Sequence, residues 1–139
     1  MADLLDGLAR YLHDLGLVEY DATGVTGNLF IEVMPATPDR VVVLGLYGGP
    51  QPDSRLPYDP PNLQVRTRGT IDPRTSRTLA LDLYDALQGL GPIQLPDGTE
   101  LLSCNAIQTV SLMGQDAQYR AQHVVNFNLE IEAPTAHRP

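Results

Sequence analysis

The side chains of this 139-residue chain that could make or break bonds are one cysteine, three histidines and seventeen carboxylates. Cys104 falls in phase with Leu102 and Ala106 along an extended stretch. Its neighbours Ser103, Asn105 and Gln108 carry no charge that would lower a thiol pKa. A cysteine in such a setting is usually a small buried hydrophobe. His123 lies on the apolar side of the last strand, so a Cys104–His123 nucleophile pair across neighbouring strands is one arrangement to weigh. A partly buried structural histidine is the plainer alternative. Asp82 and Asp85 share an exposed helix face, where paired acids can exchange protons but are more often simply solvated. His13 sits on a helix flank and His137 near the C-terminus, and the histidines and cysteine lack metal-ligand spacing. No phosphate-binding loop, GxGxxG or GxSxG is present. We therefore expect no catalytic set, no metal and no cofactor.

Two other groups point to contact rather than catalysis. Arg66 and Arg68 share one face of a strand, where they are either a solvated pair or a basic patch that meets acidic groups of another subunit. They follow Gly48–Pro61, a segment with five prolines in fourteen residues. Proline fixes φ and removes a donor, so this loop should be extended and stiff, without a helix or ladder of its own. Its Leu56, Pro57 and Tyr58 are either an apolar anchor for a partner's groove or a lid folded back on the core.

Local patterns define the elements that hold these residues. Leu4, Leu5, Leu8, Leu12 and Leu15 recur at helical spacing, opposite Asp6, Arg10 and Asp14, up to a stop at Gly16. Asn28–Met34 reads as a strand with Leu29, Ile31 and Val33 on one face. Pro35 and Pro38 turn the chain into a second strand, Arg40–Tyr47. Its VVVLGL core is apolar on both faces, as expected of a strand covered on both sides. Asn62–Gly69 is a third strand. Asp72-Pro73 then opens a helix with the stripe Leu79, Ala80, Leu83, Leu87 and Leu90. Ile93–Leu95 and Leu101–Thr109 form a hairpin about Pro96-Asp97-Gly98, and Val110–Ala117 reads as a loop. From Tyr119 to Ile131 the odd positions are apolar or aromatic apart from His123, and most of the even ones are polar, the pattern of a long half-buried antiparallel strand. The expectation is an α+β fold: two helices on a mostly antiparallel sheet, in the order α-β-β-β-α-β-β-β. Residues 1–133 would form one domain and 134–139 a frayed tail.

Composition narrows the classes further. Nine basic residues, all arginine, against seventeen acidic ones give a net charge of −8, which opposes gripping nucleic acid. One cysteine cannot form an internal disulfide. The opening MADLLDGLARYLHDLG has acids where a secretion signal would be basic, and the apolar run Val41–Leu46 is too short to span a bilayer. These features suit a soluble protein of a reducing cytoplasm that does not bind membranes.

A proline-rich loop leads into the strand Leu63-Gln64-Val65-Arg66-Thr67-Arg68, followed by a capped helix ending at a glycine. Gly114-Gln115-Asp116 and Tyr119-Arg120 then precede a long alternating strand containing Asn126-Phe127. Together with the short opening helix, this order resembles the tail terminator family of long-tailed bacteriophages, whose members are often labelled minor capsid proteins. The resemblance implies a structural virion protein of the tail and neck, assembled in the host cytoplasm. It would form a homo-oligomeric ring, a hexamer, on the end of the tail tube. There it would stop polymerisation and present a joining surface to the head-completion (stopper) protein. Its partners would be itself, the major tail tube protein and that stopper, with DNA passing through unbound. On this sequence, Leu56, Pro57, Tyr58, Arg66 and Arg68 would contribute to the subunit or tail-tube interface. An acidic channel would repel DNA, and Asp82, Asp85, Asp97 and Glu100 are candidates to line it. The alternatives are another neck or tail-completion protein, or a small enzyme using Cys104.

Overall fold

The computed structural model describes residues 3–139. Helix α1, Leu4–Asp14, starts at Asp3, whose carboxylate accepts a hydrogen bond from the Asp6 amide. It buries Leu4, Leu5, Leu8 and Leu12 and turns the Asp6–Arg10 pair (2.8 Å) outward. Leu15, expected on the same stripe, is the C-cap residue and half exposed. Helix α2, Pro73–Leu87, opens as its sequence dictates: the Asp72 carboxylate accepts from the Arg74 amide, and Pro73 stands where no amide donor is needed.

Eight strands follow in chain order: β1 Leu29–Ile31, β2 Val41–Tyr47, β3 Tyr58–Asp59, β4 Asn62–Arg68, β5 Ile93–Gln94, β6 Glu100–Ala106, β7 Ser111–Gln115 and β8 Ala121–Glu132. They form one sheet in the order β1-β2-β4-β8-β6-β5, antiparallel except for the parallel β1–β2 pair. The α+β class and the helix-on-sheet arrangement are as expected, with two more strands than the sequence suggested.

Both extra strands flank β8. On one side β3 pairs with its end and β4 with the rest, interrupted at Pro60-Pro61. On the other, β6 pairs with residues 127–132 and β7 with residues 121–124. The two prolines and the residues between β6 and β7 thus kink two long strands, and β8 is paired along both edges. The expected loop at 110–117 is largely strand β7, and the proline segment, expected to have no ladder, contributes β3. Strand β1 is shorter than expected: Glu32 adopts φ +67° and Val33 lies 73% exposed instead of sharing the buried face.

The helices cover one face of the sheet. Their buried leucines form a single core with Leu29, Val42, Leu44, Leu63, Val65, Val125, Phe127 and Leu129. Val41 and Val43 point to the other face and are also fully buried. Arg68 and Arg66, opposite them on β4, share that face and donate to segment 32–39. The double-sided apolar pattern of β2 therefore has two different lids.

Candidate functional site

The alternative nucleophile pair does not form. Cys104 stands opposite Leu129 on β8, six positions along that strand from His123. At about 3.4 Å per residue the separation is roughly 20 Å. Burial pushes the Cys104 thiol up to about 12, so almost no thiolate exists at neutral pH. His123 instead meets Ser76 of α2, its Nδ1 lying 2.7 Å from the Ser76 hydroxyl. This serine–histidine contact is invisible in the sequence, because the partners are 47 positions apart. It resembles a nucleophile and its base in distance alone. Ser76 is fully buried, and among the described residues no carboxylate bonds to the imidazole. Burial, aided by the positive charge of Arg77, lowers the His123 pKa and favours the neutral ring. The Ser76 carbonyl also accepts from the buried Thr67 hydroxyl at 2.8 Å, so this polar group fastens α2 to β4 and β8. No group of three or more His, Cys, Asp or Glu that could hold a metal is found among the described residues.

The structure sorts the expected contact residues into internal and external sets. Arg68, read as part of an exposed strand face, is only 3% exposed. Its guanidinium donates to the carbonyls of Pro38 (2.7 Å) and Asp39 (3.1 Å). Arg66, half-buried beside it, donates to the Glu32 carbonyl at 3.1 Å. Arg120 completes the set, donating to Asp116 (2.7 Å), the Ala36 carbonyl (2.7 Å) and Asp39 (3.2 Å). Three arginines thus staple segment 32–39 over Val41 and Val43. Alternation showed that Arg66 and Arg68 share a face, but the loop that covers it comes from thirty residues earlier.

Leu56 and Tyr58 remain outside, 56% and 38% exposed, with Pro57 between them half-buried. The loop that carries them is tied at its base. The Ala133 amide donates to the Pro57 carbonyl (2.7 Å), and Arg138 reaches Asp59 (2.8 Å) and the carbonyls of Asp53, Leu56 and Tyr58 (3.2–3.4 Å). Residues 134–139, expected to fray, include a Thr135–Arg138 backbone pair and serve as this clamp.

The four acids proposed for a channel do not share one environment. Asp82 and Asp85 project from the exposed side of α2, and Glu100 is half-buried at the start of β6. Asp97 is committed internally: it accepts from the Thr99 amide (3.2 Å) and hydroxyl (2.5 Å) and lies against Gly7 of α1.

One surface went unnoticed in the sequence. Among the described residues, strand β7 pairs only with β8, so its outer backbone groups face away from the sheet. Leu112 (61% exposed) and Met113 (49%) stand on it. The neighbouring Ile107 and Tyr119 are also exposed.

Apolar residues are therefore displayed in positions for contact, whereas Cys104, His123 and Ser76 are buried. Comparison with known proteins agrees in kind: the model of a family described as bacteriophage tail terminator protein matches residues 11–133. None of the curated proteins compared matches the chain.

Proposed function

The chain belongs to the bacteriophage tail terminator family, and on that premise we propose that it caps the growing tail tube as a ring, stops polymerisation and offers the head-completion protein its joining surface. The family match carries this reading, running from within α1 to the residue after β8. It makes the protein a structural component of the virion tail. Termination needs no bond-making chemistry. It needs two unlike surfaces on one subunit, one that fits the end of the tube and one that refuses a further tube subunit.

The placement of side chains supports such a role. Cys104, His123 and Ser76 are buried, while Leu56 and Tyr58 are held outward on a loop anchored at both ends. Leu56, Pro57 and Tyr58 are the residues we assign to the contact with a neighbouring subunit or the tube. Arg66 and Arg68 act within the subunit, holding segment 32–39. Asp82, Asp85 and Glu100 remain the acids we assign to the channel wall, through which DNA passes by repulsion and without being held.

The test is a polymerisation assay with the purified tail tube protein. Adding this protein at a small molar fraction should arrest growth and leave shorter tubes. Unchanged growth and length would contradict the proposal.

A further inference from the structure

We propose that copies of this chain join head to tail, the β7 edge of one seated in the apolar recess beside β1 of the next. The proposal rests on the terminator reading only in taking the assembly to be a ring.

Three observations carry it. First, β7 is an open edge. Residues 107–115, Ile-Gln-Thr-Val-Ser-Leu-Met-Gly-Gln, contain no charge and no proline, two of the devices that stop an exposed strand from pairing, and an irregularity between Leu112 and Gly114 leaves Met113 outside the ladder. Leu112 and Met113 stand out from it. Second, the opposite edge of the same part of the sheet carries a recess of about 350 Å³, lined chiefly by Tyr20, Leu29, Phe30, Ile31, Val33 and Pro35. Its charged lining residue, Asp21, is bound internally by the Thr23 and Thr26 hydroxyls. Third, the two surfaces are level. A single row of paired residues crosses five strands, Leu112–His123–Thr67–Val42–Leu29, about 19 Å from edge to edge at about 4.8 Å per strand.

The occupant follows from charge and geometry. Each copy carries −8, so copies repel least where charge is sparse. Both surfaces are mainly apolar, one projecting and one recessed, and the one carboxylate lining the recess, Asp21, is already engaged by Thr23 and Thr26. They are also different surfaces, so the contact is heterologous. A heterologous contact generates a ring when its rotation closes, which is the form the terminator reading requires.

Met113→Glu and Val33→Glu test the pairing, since both side chains are exposed and neither change should disturb the fold. Native mass spectrometry of the wild type should show a closed oligomer. Each variant alone should be monomeric, with association at least about tenfold weaker and an unchanged circular dichroism spectrum. An equimolar mixture of the two should give a heterodimer and nothing larger, because it contains one intact β7 edge facing one intact recess. Variants that assemble like the wild type would overturn the proposal. So would a Val33→Glu protein that still self-associates while Met113→Glu does not, since that would mean β7 pairs with β7. A monomeric wild type overturns this interface and leaves capping to the tube assay. An assembled wild type that leaves tubes unchecked overturns capping and leaves the interface standing.

Discussion

His123 and Arg68 show how side chains that look functional in the sequence are spent on holding the subunit together. His123 is buried against Ser76, and burial lowers its pKa below the ordinary 6.5. A histidine kept neutral in the folded state protonates first in the unfolded chain, so it draws the equilibrium toward unfolding as pH falls below about 6.5. Stability from this group is complete above that value and declines below it, until the folded imidazole also protonates. His123→Gln should therefore flatten the acid side of the stability profile relative to wild type, measured by urea unfolding at successive pH values. An equal slope in both proteins would refute this role. Arg68 is a different case, with a buried charge satisfied by two backbone carbonyls. Arg68→Ala should cost about 2–3 kcal/mol of stability, in the range for hydrogen bonds to charged groups, and should speed protease cleavage between residues 33 and 39. Cys104 should react with iodoacetamide only after denaturant is added, since its thiol is buried and its pKa raised.

At the scale of elements, close approach matters more than propensity. Gly7 lies inside α1, where alanine would normally favour the helix by about 1 kcal/mol. A Cβ there would run into the Asp97 carboxylate, which is itself held by Thr99. Gly7→Ala should thus destabilise the fold by about 1–3 kcal/mol, and Asp97→Ala should recover part of the loss when the two are combined. A stabilised Gly7→Ala protein would show that the turn between β5 and β6 yields easily. The C-terminal clamp is equally specific. Removing residues 134–139 takes away Arg138 and should expose the loop at 50–57 to proteolysis while leaving the core melting transition in place. Elements whose pattern was local were legible in the sequence: the Asp72 cap, the α1 and α2 stripes, and the alternation of β8. Strands β3 and β7 were not. Two residues between prolines, and an uncharged run with Leu112 and Met113 adjacent, carry no alternation of their own. Both are strands because β8 offers them an edge. Likewise, the fully apolar β2 announced a covered second face, but nothing local to it identified segment 32–39 as the cover.

At the scale of the molecule, apolar side chains such as Leu56, Leu112 and Met113 are displayed while Cys104, His123 and Ser76 are enclosed, in a chain that belongs to the tail terminator family. The fold class was legible in the sequence because it follows from periodicity, whereas Leu56 and Tyr58 stood there as either an outward anchor or a lid on the core. The sequence assigned Arg66 and Arg68 outward because strand alternation gives the face of a side chain and not what lies over it. It carried no sign of strand β7. The acidic surface fits a part that stands beside DNA without holding it, with Asp82 and Asp85 free on α2 and Asp97 turned inward. Capping is the central claim, and electron microscopy of tail tubes assembled with and without this protein tests it most directly. The account predicts a ring with an open channel at one tip of each shortened tube. Bare tips on tubes of unregulated length would contradict it.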